Sequence, residues 1–156
     1  MQIIELKNNN FDKQIIKKLL EKKVCLIGVF SKLCIHCNIM KPQWEILKKK
    51  LKKTNLNGVL LEIDANQLDY IDYSLLKNSV DGLPSIMVFK RGKKVKEYVG
   101  DRTSNDIYKF FKSYLVNKNS KNSVRRRKLI KQINSKARKK PFFRTNKKTK
   151  KIRSGS

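Results

Sequence analysis

The stretch Val24 to Trp44, VCLIGVFSKLCIHCNIMKPQW, limits what this chain can fold into more than any other. Val24 to Phe30 is a run of apolar residues and reads as a buried strand. It breaks at Ser31-Lys32-Leu33, gives Cys34-Ile35-His36-Cys37, and continues with Met40, Trp44, Leu47 and Leu51, spaced four, three and four apart as on one helix face. A strand running into a helix N-terminus places Cys34 among backbone N–H groups that have no intrahelical partner, at the positive end of the helix dipole. A thiol there is biased toward thiolate, its reactive form. Cys37, one turn on, is placed to attack a mixed disulfide formed by Cys34. The arrangement points to a redox dithiol.

Two other readings of the cysteines stand beside it. Structural zinc uses the same C-x-x-C spacing and needs about four ligands. The chain offers Cys25, Cys34, Cys37 and His36, with His36 between two of the cysteines and Cys25 in the apolar strand. Inert core thiols are the third reading.

The rest of the chain supplies the partners of a sheet. Ile3 to Leu6 reads as a first strand and Asn8-Asn9-Asn10 as a turn. Phe11, Ile15, Ile16, Leu19 and Leu20 form one helix face, with Asn10 the expected N-cap. After the central strand the long helix runs to about Lys53, and Pro42 inside it removes one hydrogen bond and predicts a kink. Val59 to Ile63 reads as an interior strand, and Leu68, Ile71, Leu75 and Leu76 predict a short helix. Val80 to Pro84 is a loop. Ser85–Phe89 and Lys94–Val99 are strands joined at Arg91-Gly92, a hairpin signal. Thr103 or Ser104 caps a last helix carrying Ile107, Phe110, Phe111, Tyr114 and Leu115. The order βαβαβαββα predicts an α/β fold: a central mixed sheet with helices on both faces, ending near Val116.

Charge divides the chain at the same place. Of 39 Lys+Arg and 12 Asp+Glu, residues 117–156 hold 17 basic and no acidic residues. The expected organisation is a domain over 1–116 and a basic tail over 117–156, partly disordered or a short helix around Leu129, Ile130 and Ile133. Met1-Gln2-Ile3-Ile4-Glu5 does not open a signal peptide, and no run reaches the ~20 apolar residues of a membrane span. Expected localisation is cytoplasmic or nuclear. Three cysteines do not make a disulfide framework.

Residues 1–116 resemble a thioredoxin domain, nearer the protein disulfide isomerase branch than thioredoxin itself. The resemblance rests on Cys34-Ile35-His36-Cys37, Pro42, Trp44, Leu61-Glu62-Ile63-Asp64, Val80-Asp81-Gly82-Leu83-Pro84-Ser85, Val88 to Lys93 and Tyr98 to Thr103. It implies a thioredoxin fold and thiol–disulfide oxidoreductase activity with no cofactor beyond the redox-active Cys34–Cys37 disulfide. It also implies a cis Pro84 facing the dithiol. Leu83 and Pro84, with the apolar lip Leu33 and Ile35, would receive an extended protein substrate. His36 would stabilise the Cys34 thiolate, and Arg102 would help Cys37 ionise. An oxidase or a reductase would be the redox partner. One departure stands out: the family usually buries an acid six residues before the first cysteine, and Gly28 occupies that place. Deprotonation of Cys37 would then fall to water, Arg102 or His36.

The tail lies outside the resemblance. Arg125, Arg126, Arg127, Lys128, Lys139 and Lys140 suit DNA or RNA phosphates, a nuclear localisation signal or an acidic protein surface, and Phe142-Phe143 suit stacking. The alternative function is a thioredoxin-fold binding or virion-structural module whose tail binds nucleic acid while the dithiol is incidental. The absence of a signal peptide beside an isomerase-like motif would be reconciled by packaging in the virion of a large DNA virus.

Overall fold

The central strands carry two alternating sets of apolar residues, and the fold sends the sets to opposite sides of one sheet. The computed structural model describes residues 1–115. The elements are β1 (Gln2–Leu6), α1 (Lys13–Lys22), β2 (Val24–Phe30), α2 (Ile35–Lys52), β3 (Val59–Asp64), α3 (Ser74–Lys77), β4 (Ser85–Lys90), β5 (Lys93–Glu97) and α4 (Ser104–Leu115). The sheet order is β1-β3-β2-β4-β5. β1 and β2 flank β3 in parallel, while β4 runs antiparallel to β2 and β5 antiparallel to β4. This is the thioredoxin fold.

Strand side chains alternate with period two, so the two faces separate cleanly. Cys25, Ile27, Val29, Leu61, Ile63, Met87 and Phe89 pack with Ile16 and Leu20 of α1 and Leu76 of α3. Leu26, Leu60, Ile86 and Val88 pack with Met40, Trp44, Leu47 and Leu51 of α2 and Ile107 and Phe111 of α4. Leu47 and Leu51 are fully buried, and each such side chain contributes about 1.5–3 kcal/mol relative to exposure. That burial, more than helix propensity, holds α2 to the sheet, and the helix continues through Pro42. β5, at the sheet edge, is KKVKE, whose lysines discourage a further strand from pairing there.

Three boundaries differ from the sequence expectation. The N-cap of α1 is Asp12, not Asn10: its Oδ1 accepts from the N–H groups of Gln14 and Ile15 at 2.8 and 3.2 Å. The helix expected across Leu68–Leu76 is instead a 3-10 turn, Ala65–Gln67, a tight turn at Ile71–Tyr73 and the single turn of α3. Ile71 and Leu76 are buried as the spacing demanded, but Leu75 is exposed, so successive turns satisfy a pattern that resembled one helix face. β5 ends at Glu97 and does not reach Val99, which is exposed.

Candidate active site

β2 is released from the sheet at Phe30, and a short turn built on Ser31 aims the chain into α2. Ser31 Oγ accepts from the Leu33 N–H at 3.2 Å, and the Ser31 carbonyl accepts from the Cys34 N–H at 3.2 Å. Asn38 Nδ2 ties the turn down by donating to the Lys32 carbonyl at 3.2 Å. Cys34 is thereby the N-cap of α2, with extended backbone, and its Sγ accepts from the Cys37 N–H at 3.2 Å. A cap position normally holds an oxygen that satisfies an orphan N–H. A sulfur placed there receives the same donor and the same dipole, which favour its anion.

The two thiols are set apart by their surroundings. The Cys34 thiol is lowered from its ordinary value, first by its hydrogen bond with the Cys37 side chain, then by the backbone N–H groups of Cys37 and His36 and the charge of Arg102. Cys37 is pushed up to about 11, chiefly by burial, and Cys34 adds to the shift. Half-buried Cys34 thus carries the lowered thiol of the pair and buried Cys37 the raised one. Cys25 is fully buried, its Sγ lies 3.4 Å from the Leu19 carbonyl, and burial pushes it up to about 12. It is a core residue of the face that packs against α1.

Leu83 comes to the dithiol from the loop before β4. Its carbonyl lies 3.7 Å from Cys34 Sγ, and the Leu83–Pro84 peptide bond is cis. Leu33 is 96% exposed and Ile35 71%, so both present apolar surface beside Cys34. Ile39, one turn along α2 from Ile35, is also 71% exposed and extends that surface. His36 is exposed, and the help it gives Cys34 comes from its backbone N–H. Arg102 is exposed, and its charge lowers both thiols. Arg125, Arg126, Arg127, Lys128, Lys139 and Lys140 lie outside the described residues.

Behind Cys37 the structure assembles a charged cluster that sequence reasoning did not find. Gly28 pairs laterally with Glu62 of β3. A Cβ at position 28 would stand 2.5 Å from Trp44 Cζ2, so the indole fills the space a side chain there would need. Trp44 Nε1 donates to Glu62 Oε2 at 3.0 Å, and Phe30 meets the ring edge-on with centroids 5.0 Å apart. Lys48 Nζ reaches Glu62 at 2.6 Å and Glu5 and Glu45 at 2.7 Å each. Lys48 and Glu62 are only 4% and 6% exposed. The sequence did carry a signal: Glu62 interrupts an otherwise apolar interior strand, and Lys48 lies four residues beyond Trp44 on the apolar side of α2. Buried charges of this kind are paired.

Comparison with known proteins agrees with this geometry. A family model described as Thioredoxin matches residues 2–113. Bloodstream-specific protein 2 of Trypanosoma brucei brucei is 28% identical over 110 residues, covering 70% of this chain and 20% of its own length. The protein disulfide-isomerase A6 homolog of Drosophila melanogaster is 34% identical over 110 residues, covering 67% of this chain and 23% of its own. Among solved structures, the first thioredoxin domain of mouse protein disulfide-isomerase A4 superposes with a TM-score of 0.56 at 25% identity, over 73% of this chain and 76% of that one. This chain spans about a fifth of the length of the curated relatives it matches.

Proposed function

Because the chain belongs to the thioredoxin family, we propose that it exchanges disulfides with protein substrates through Cys34 and Cys37. The observation that carries the reading is Cys34 at the N-cap of α2, its sulfur 3.2 Å from the Cys37 N–H and its thiol lowered while that of Cys37 is raised. In the reducing direction the Cys34 thiolate attacks one sulfur of a substrate disulfide, and the other sulfur leaves as thiolate. Cys37, once deprotonated, attacks Cys34 Sγ; the Cys34–Cys37 disulfide forms and the second substrate sulfur leaves. Two electrons pass from the dithiol to the substrate. The oxidising direction is the reverse sequence.

The apolar lip of Leu33 and Ile35, together with the Leu83 carbonyl and Pro84, supports an extended protein segment as substrate. The histidine before the second cysteine and the likeness to isomerase-type domains support oxidation or isomerisation, with an oxidase as redox partner. Residues 117–156 are proposed as an anchor to nucleic acid or to an acidic partner. Support for that is their composition, 17 basic residues and no acidic ones.

The deciding experiment equilibrates the full chain with glutathione buffers and counts free thiols. A potential near about −180 mV would make it an oxidase or isomerase, and one near about −270 mV a reductase. Cys34→Ala should abolish exchange, and Cys37→Ala should accumulate a substrate-linked species visible on a non-reducing gel. Unchanged exchange in Cys34→Ala would overturn the assignment.

A further inference from the structure

Resolving the mixed disulfide requires Cys37 to lose a proton, and burial holds that proton tightly. The usual acid of β2 is absent, since Trp44 fills the space above Gly28. The next strand supplies another. Cys37, Trp44 and Glu62 line a common cavity of about 60 Å³, which reaches the surface at Lys32, Asn38 and Lys41. A cavity of that volume accommodates water, which needs about 10–15 Å³.

We infer that Glu62 accepts the Cys37 proton across this cavity during resolution, and returns it when the reaction runs in reverse. The inference rests on the dithiol reading above. Glu62 Oε2 is engaged by Trp44 and Lys48, whereas Oε1 has only Lys7, at 3.5 Å, among the described residues. Oε1 is therefore the less engaged of the two oxygens and the one assigned the proton. Lys48 keeps Glu5 and Glu45 when Glu62 is neutral, so protonation of Glu62 does not orphan the buried ammonium. The other charged groups facing the cavity are Lys32, Lys41 and Asp64, and Arg102 acts on Cys37 through space.

The step balances. The proton moves from Cys37 Sγ through water to Glu62 Oε1, and the thiolate attacks Cys34 Sγ. The Cys34–substrate bond breaks, its electron pair leaves with the substrate sulfur, and solvent or Glu62 reprotonates that sulfur. Glu62 touches no reacting sulfur, so it is a positioning residue for the proton.

The test reacts the reduced full chain with 5,5′-dithiobis(2-nitrobenzoate) and follows release of the second thionitrobenzoate, expelled from Cys34 by Cys37, from pH 6 to 9. Wild type should show a nearly flat rate. E62Q should be slower by about tenfold or more at pH 7 and should climb about tenfold per pH unit, as when hydroxide alone deprotonates the thiol. Where E62Q fails to fold, E62Q/K48Q removes the carboxylate with its buried cation and should show the same slope. A profile in the Glu62 variant parallel to wild type, or the steep profile appearing in D64N instead, would overturn the inference. If wild type releases only one equivalent, as Cys37→Ala should, the dithiol reading itself fails.

Discussion

At the residue scale Gly28 is a tightly constrained position. It needs no unusual backbone angle; it is glycine because the Trp44 ring lies where its Cβ would go. Gly28→Ala therefore forces a close-packed neighbour to move, which costs about 1–3 kcal/mol in a full core. The expected outcome is a lower urea midpoint followed through the fluorescence of Trp44, the sole tryptophan of the chain. An unchanged midpoint would mean that the indole shifts freely. Glu5 makes a separate prediction. Hydrogen bonds from Lys48 and then Lys7 hold its carboxyl down to about 2 from 4.5. A folded-state value below the unfolded one means that its contribution is complete above about pH 4.5 and fades toward pH 2. Glu5→Gln should flatten the acid limb of stability over that window, and equilibrium unfolding at several pH values reads it. The cysteine pair and its strand-to-helix setting were legible in the sequence, because spacing along the chain is enough to place them. Glu62 shows in the sequence only as one residue of the Leu61-Glu62-Ile63-Asp64 run, because what it faces depends on the register of β2 against β3.

At the element scale the fold is held by local devices that only partly show in the sequence. The β4–β5 hairpin turns on Arg91 and Gly92 at φ 54° and 75°, the pair of left-handed residues that matches strand twist. Gly92 also donates its N–H to the Leu20 carbonyl and accepts from Tyr73 Oη at 2.8 Å, which ties the turn to α1 and to the segment before α3. Gly92→Ala combines a disfavoured φ with a Cβ 2.7 Å from that hydroxyl. It should destabilise by at least about 1 kcal/mol, read as a fall in Tm. The hairpin was legible because Arg-Gly between two strand runs is a local signal. The N-cap of α1 is not fixed by residue type, since Asn10 and Asp12 are both good caps and only the backbone path selects Asp12. In the segment from Leu68 to Leu76, apolar spacing alone does not distinguish a helix from a series of turns that bury the same residues.

At the scale of the whole molecule, Met1–Val116 forms one compact unit, and no helix of the described residues is long and apolar enough to cross a membrane. Deleting residues 117–156 should leave the rate of exchange with a small disulfide unchanged while removing retention on nucleic acid. If the tail engages about eight phosphates, retention by the full chain should weaken with salt at a log–log slope near about −7. Salt-independent retention, or retention that survives the deletion, would remove nucleic acid as its partner. By itself the sequence determined the order of elements, a mixed sheet covered by helices on both faces and the strand–CxxC–helix junction. All of these are properties of neighbours along the chain. Only the tertiary structure decided that Glu62 of β3 and Cys37 line one cavity, and that Lys48 is buried against Glu62. Which side chain lies beside which depends on the pairing of separate strands and on the volume Trp44 takes up, and neither is written in local periodicity.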